Sequence, residues 1–288
     1  MKNEEDRQNE PGSRLSRGLG LVERGNRWLK RPSDQRKMLL LKKLRNIPAT
    51  IAAIPFYFGK SSILNVYLTY HPDSHSCFNN HSEFYTLFDK FIDHNKVNNA
   101  GDTVRLWSFI LNIKQVISEN IEGDFAELGV WRGNTATILA YFASSSNRRL
   151  VLFDTFDGFD NKDLRGVDAD RQMAFNDTSI DLVKKVLGEQ IGVCDFIRGY
   201  FPDSIREEHK RKRYAVVSLD CDLYEPMKAG LEFFYPLMSR GGIFLLHDYS
   251  SLFWGGAKKA IDEFCERNGE YVIAMPDKSG SAFFRKST

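Results

Sequence analysis

The sequence predicts an α/β fold: a doubly wound, mostly parallel seven-stranded sheet that ends in an antiparallel C-terminal hairpin. Three observations carry this expectation. Short apolar runs alternate with helix-length segments from about Thr103 onward, the first strand opens into a helix through a glycine turn, and the last two strands are joined by only a short loop. Taken in order, "VRLWSFILNIKQVISENI" has apolar residues every three or four positions and reads as an amphipathic helix. "GDFAELGV" follows as a strand and passes into "WRGNTATILAYFASS", whose helix should begin at Asn134 or Thr135. Further strands are expected at "RLVLFD" (149–154), "CDFIRGYF" (194–201), "YAVVSLD" (214–220) and "GGIFLLHD" (241–248). After the helix "GAKKAIDEFCERNG" come "YVIAM", the turn "PDKSGS" and "AFFRK". That is a hairpin, whereas a nicotinamide-binding sheet would continue with another helical crossover.

Composition bounds the partners. The chain has 288 residues, 27% of them charged, and its net charge of +2 gives no bias toward nucleic acid. The basic residues concentrate in the first 45 positions, with 13 Lys and Arg against 6 acids, which reads as a disordered tail. Residues 46–100 read as an N-terminal helical or cap segment and 101–288 as the catalytic domain. "MLLLKKLRNIPATIAAIPFYF" is interrupted by Lys42, Lys43, Arg45 and two prolines, so no transmembrane span is expected. It could pack on the protein or on a second copy in a homo-oligomer, or touch a membrane surface peripherally as a basic segment. Cys77, Cys194, Cys221 and Cys265 are widely spaced and form no zinc pattern, which suggests reduced thiols in a cytoplasmic protein.

The glycine turn narrows the cofactor. In "FAELGVWRGNTA" the spacing is GxxxG, Gly129 and Gly133, rather than the GxGxxG that cradles a pyrophosphate. A cofactor without pyrophosphate, such as S-adenosylmethionine, needs a close backbone approach and an acid for its positive charges, and Glu127 fits that need. The bland alternative is a purely structural turn. Asp154 ends the second strand, where a carboxylate can accept ribose hydroxyls or instead cap the next segment.

The runs "IEGDFAELGVWRGNTA", "LFDTFDGF", "FNDTSIDLV", "GYFPDSI", "LDCDLYEPMKAGLEFFYPLMSRGGIFLLHDY" and "GGAKKAIDEF" resemble, in order, the macrocin O-methyltransferase (TylF) family over roughly 102–285. That resemblance implies an S-adenosylmethionine-dependent enzyme that methylates hydroxyls of sugars in natural products or glycans, with magnesium. A nicotinamide-dependent oxidoreductase and an inactive binding or scaffold protein are the alternatives.

Asp220 and Asp248 end neighbouring strands, so their carboxylates should converge at the sheet edge and suit a hard divalent cation. By resemblance, Asp220 matches a metal-binding general base, and His247 with Asp248 matches two consecutive metal-binding aspartates. His247 therefore departs from the pattern; it could be a nitrogen ligand favouring a transition metal, an assisting base, or a side chain turned away. Asp222 is expected to cap the helix that follows it. The polar stretch 157–179 reads as a lid, Trp254 as a sugar platform or core residue, and Tyr200 and Asp203 as loosely associated with the cofactor and substrate entrance.

Overall fold

The computed structural model describes residues 82–99 and 102–287. The basic tail, the membrane-surface and oligomer contacts expected of the N-terminal segment, and Cys77 lie outside the described residues.

Helix α1, Ser82–Ile92, buries Phe84, Leu87 and Phe91 on one stripe, and α2 is the single turn Lys96–Asn99. Helix α3, Thr103–Ser118, is the amphipathic segment expected from the periodicity, and the side chain of Asp102 caps it by accepting from the Arg105 N–H. Its buried stripe contains Leu106, Phe109, Ile110, Ile113 and Val116, and also Arg105. Strand β1, Asp124–Leu128, leads into α4, Asn134–Ser145, and β2, Leu150–Asp154. After the lid segment come α5 (Ile180–Leu187), β3 (Cys194–Arg198), α6 (Glu207–Lys210) and β4 (Tyr214–Leu219). Helix α7 (Tyr224–Leu237), β5 (Met238–Leu246), α8 (Gly255–Asn268), β6 (Ile273–Ala274) and β7 (Ala282–Arg285) complete the order.

The seven strands form one sheet in the order β3-β2-β1-β4-β5-β7-β6. The first five run parallel, and β7 pairs antiparallel with both β5 and β6. The expected C-terminal hairpin is thus present, and β5 begins earlier than the sequence suggested, at Met238 rather than Gly241. Parallel strands need both faces covered. Phe125, Leu150, Leu152, Val216, Ile243 and Leu245 face a core built with α1, α3, α4 and α5. The alternating residues Ala126, Val151, Phe153, Val217, Leu219 and Phe244 face a second core built with α7 and α8. Cys194, Cys221 and Cys265 are free and buried, and among the described residues no helix is long and apolar enough to cross a membrane.

Strand order reverses between β1 and β4, which opens a crevice at their carboxyl ends. The two strand ends lie against each other there: Asp220 donates its N–H to the Leu128 carbonyl at 2.9 Å, and Gly129 donates to Phe153 at 3.0 Å on the other side. Gly129 has φ +86°, and a Cβ there would lie 2.0 Å from the Asp220 carbonyl oxygen. Only glycine satisfies both constraints. Gly129→Ala should therefore destabilise the fold by about 2–5 kcal/mol, adding left-handed strain to overpacking. Urea unfolding measures it, and an unchanged midpoint would mean that the turn relaxes without cost.

Candidate active site

The loops at the carboxyl edge are strained. Trp131 after β1, Phe156 after β2, Asp222 after β4, Asp248 after β5 and Phe175 in the lid all have φ between +44° and +61°. Such conformations cost about 1–3 kcal/mol each and cluster where surrounding structure holds functional groups in place.

Glu127 sits on β1 directly below the glycine turn. It is buried, and its Oε2 has no hydrogen-bond partner. Burial, then Asp220 and Asp154, raise its proton affinity well above the ordinary carboxyl range, against the opposing pull of His247 and Arg105. An orphaned acid of this kind is a place for a positively charged donor. Gly133, at φ +81°, begins α4 with its Cα packed so closely on Val183 that a Cβ would lie 2.9 Å from that side chain. Asp154 spends its carboxylate on the same turn: Oδ2 accepts from the N–H groups of Val130 (2.6 Å) and Trp131 (2.9 Å), and Oδ1 from Phe156 (2.6 Å). It locks the two loops of the crevice together and keeps fewer lone pairs for a ligand than the sequence reading assumed.

The register of β4 on β5 pairs Leu219 with Leu246, so the next residues outward are Asp220 and His247. His247 Nδ1 lies 2.7 Å from Asp220 Oδ1 and 2.6 Å from Asp248 Oδ2. Nε2 is met by a guanidinium N–H of Arg105, a buried residue that also pairs with Asp102 at 3.4 Å, donates to Asn99 and lies 5.1 Å from the Phe91 ring centroid. Burial lowers the proton affinity of His247. Asp220 and Asp248 raise it by more, with Arg105 opposing, and the net direction is well upward. Burial raises the Asp220 carboxyl, but His247 and Arg105 outweigh it and hold Asp220 ionised. The carboxylates favour a second ring proton and the guanidinium needs a lone pair at Nε2; in either case Nδ1 carries a proton, since two carboxylate oxygens face it.

Asp222 does not cap α7. Its backbone is left-handed, its side chain is buried, and burial together with the Asp248 and Asp220 charges raises its proton affinity well above the ordinary carboxyl range. The cap comes instead from the lid: the Tyr224 N–H donates to Asp168 Oδ2 at 2.7 Å. Sequence reasoning missed both Asp168 and Arg105. Arg105 left a signal, because it is the one charge on the apolar stripe of α3.

Ligand atoms of Asp220, His247 and Asp248 lie within 4.8 Å of one another, a spacing that could hold one cation. The donor set does not fit that use as arranged. Nδ1 carries a proton toward both carboxylates, Nε2 faces a guanidinium, and a histidine binds a metal only through a free lone pair.

The stretch 157–179 folds over this edge. Tyr200 donates to Asp163 at 2.7 Å, Arg165 pairs with Glu225 at 3.1 Å, and Trp131 Nε1 donates to Asp177 at 2.8 Å. Trp254 packs with Phe159 and Phe175 at centroid distances of 5.7 and 6.1 Å, forming an aromatic wall, whereas Asp203 stays exposed beside Lys162.

A seven-stranded sheet with one reversed strand, an acid and glycine turn at its switch point and no phosphate cradle define an O-methyltransferase of the S-adenosylmethionine-dependent class. The chain belongs to the macrocin-O-methyltransferase (TylF) family, whose sequence model matches residues 100–286. It is 26% identical to 8-demethyl-8-(2,3-dimethoxy-alpha-L-rhamnosyl)-tetracenomycin-C 4'-O-methyltransferase of Streptomyces olivaceus over 61% of this chain and 70% of that protein. It is 29% identical to demethyldecarbamoylnovobiocin O-methyltransferase of Streptomyces niveus over 53% of this chain and 62% of that protein. Among solved structures the O-methyltransferase NovP shares the fold, with a TM-score of 0.55 at 24% identity, covering 65% of this chain and 81% of that one.

Removing the Asp154 carboxylate with Asp154→Ala frees three backbone N–H groups in the crevice. S-adenosylhomocysteine affinity should fall by about 1–3 kcal/mol. Calorimetric titration reads this, and unchanged affinity would separate Asp154 from the cofactor.

Proposed function

We propose that this enzyme methylates a hydroxyl of a sugar or glycosylated small molecule, with S-adenosylmethionine as methyl donor and Asp220 as the group that takes the hydroxyl proton. The observation that carries the reading is the meeting, at one sheet edge, of the unpartnered buried Glu127 oxygen and the ionised Asp220. S-adenosylmethionine, when bound, supplies a methyl group activated by its sulfonium.

Glu127 would hold the ammonium of the donor, Gly129 and Gly133 would let it approach the backbone, and the remaining lone pairs of Asp154 would accept from its ribose. Asp220 lies beside that crevice and is only half-buried, so an acceptor hydroxyl can reach it. Asp220 would take the proton that the acceptor hydroxyl loses as it is methylated. His247, against both Asp220 and Asp248, would fix the orientation of the Asp220 carboxylate. Phe159, Phe175 and Trp254 meet edge-to-face and tilted, and the half-buried Trp254 ring is the apolar surface there on which a sugar ring would stack. The name of the Streptomyces olivaceus relative includes a rhamnosyl group, which supports a deoxysugar glycoside as the first acceptor class to try.

The test is methyl transfer from labelled S-adenosylmethionine to a panel of rhamnosides and other deoxysugar glycosides, read by mass spectrometry. Methylation of a sugar hydroxyl is expected; binding of S-adenosylhomocysteine with transfer only to non-sugar hydroxyls would overturn the sugar assignment. Asp220→Asn should lower kcat by about 10²–10⁴-fold while cofactor affinity stays within a few-fold, because the base lies outside the cofactor pocket. Equal loss of both would remove Asp220 from that role.

A further inference from the structure

We propose that this enzyme works without a divalent metal, and that the Arg105–His247 pair stands in the place such an ion would take. The inference rests on the reading of this edge as the methyltransferase site. A cation at the end of β4 and β5 would need free lone pairs converging on one point. Here the point between Asp220 Oδ1 and Asp248 Oδ2 is filled by the Nδ1–H of His247, at 2.7 and 2.6 Å. These are hydrogen-bond lengths; two ligand atoms at right angles around a magnesium ion, each about 2.1 Å from it, stand about 3 Å apart.

The positive charge that an ion would bring comes from behind the ring. Arg105 points an N–H at His247 Nε2 and is fixed there by Asp102, Asn99 and the Phe91 ring. A guanidinium is always charged and cannot accept a hydrogen bond, so with Arg105 against Nε2 and the carboxylates against the Nδ1 proton neither ring nitrogen offers a free lone pair to an ion. The imidazole thus relays a fixed cation to two carboxylates that a metal would otherwise bridge. A divalent ion placed there would also meet the Arg105 charge across one ring, at a short distance in a buried setting where like charges repel strongly.

The other groups that face the ring fit the same account. Asp222 and Glu127 are buried, and among the described residues the ligand atoms that converge at this edge come from Asp220, His247 and Asp248. His247 is accordingly a positioning residue: it aims Asp220 and sets its charge, and Arg105 sets the tautomer of His247. Only Asp220 touches the reacting hydroxyl.

The experiment uses the full chain, stripped of metal and saturated with S-adenosylhomocysteine, titrated with Mn2+ and followed by the electron paramagnetic resonance signal of the free ion. The wild type should leave that signal undiminished, and His247→Asp, which removes the ring and restores an oxygen ligand, should deplete it by one equivalent. S-adenosylhomocysteine calorimetry run in parallel reports whether each protein retains its cofactor site. His247→Glu serves as a second ligand-restoring variant if His247→Asp does not fold.

Stoichiometric Mn2+ retention by the wild type would overturn the inference, as would folded ligand-restoring variants that bind no more Mn2+ than the wild type. These outcomes differ from failure of the functional reading, in which S-adenosylhomocysteine itself does not bind. A structural role alone for His247 would not produce a gained metal site.

Discussion

The carboxyl edge of this protein depends on the parallel register of β4 against β5. Pairing of Leu219 with Leu246 carries outward to Asp220 and His247, so the histidine ring lies directly beside the Asp220 carboxylate. A shift of one residue would send alternate side chains to the other face of the sheet and break both cores. The register is secured by Val216, Val217, Ile243 and Phe244, all buried and divided between the two helical layers. The chemistry therefore inherits its geometry from apolar packing several residues away.

Burying this many charges in one crevice is costly unless they are paired. An uncompensated buried ion costs several kcal/mol, and here the compensation is arranged in pairs. Arg105 meets Asp102 and the histidine, His247 meets Asp220 and Asp248, and burial with its acidic neighbours raises the proton affinity of Asp222. Glu127 is an exception. Its Oε2, like Asp168 Oδ1, is buried with no hydrogen-bond partner among the described residues, and of the two it is the one on β1 below the glycine turn.

Most of the fold was legible in the sequence because alternation of strands and helices follows from local apolar periodicity. The hairpin at 273–285 followed from its short connection, and the site residues at strand ends followed from the strands themselves. What was not legible depended on distant contacts. The cap expected of Asp222 is supplied instead by Asp168, since a local rule assigns the cap to the nearest acid, and the chain brings another from 56 residues away. The role of Arg105 was hidden for the same reason: its partner His247 is 142 residues distant. The charge within an apolar stripe was visible, but the sequence did not say what it answered.

Asp168 shows how the lid is tied to the chemistry. Its carboxylate accepts from the first N–H of α7, and Gly256, in the first turn of α8, packs against it so tightly that a Cβ there would lie 2.3 Å from Oδ2. Two 14-residue helices thus direct their positive ends at one lid carboxylate. Burial raises the proton affinity of Asp168, while the Tyr224 N–H and the Arg171 charge oppose it. Helix α7 begins four residues after Asp220, and α8 begins seven residues after Asp248. The stretch 157–179 is therefore anchored, through one acid placed at two helix ends, to the same two strand-to-helix turns that carry the Asp220 and Asp248 carboxylates.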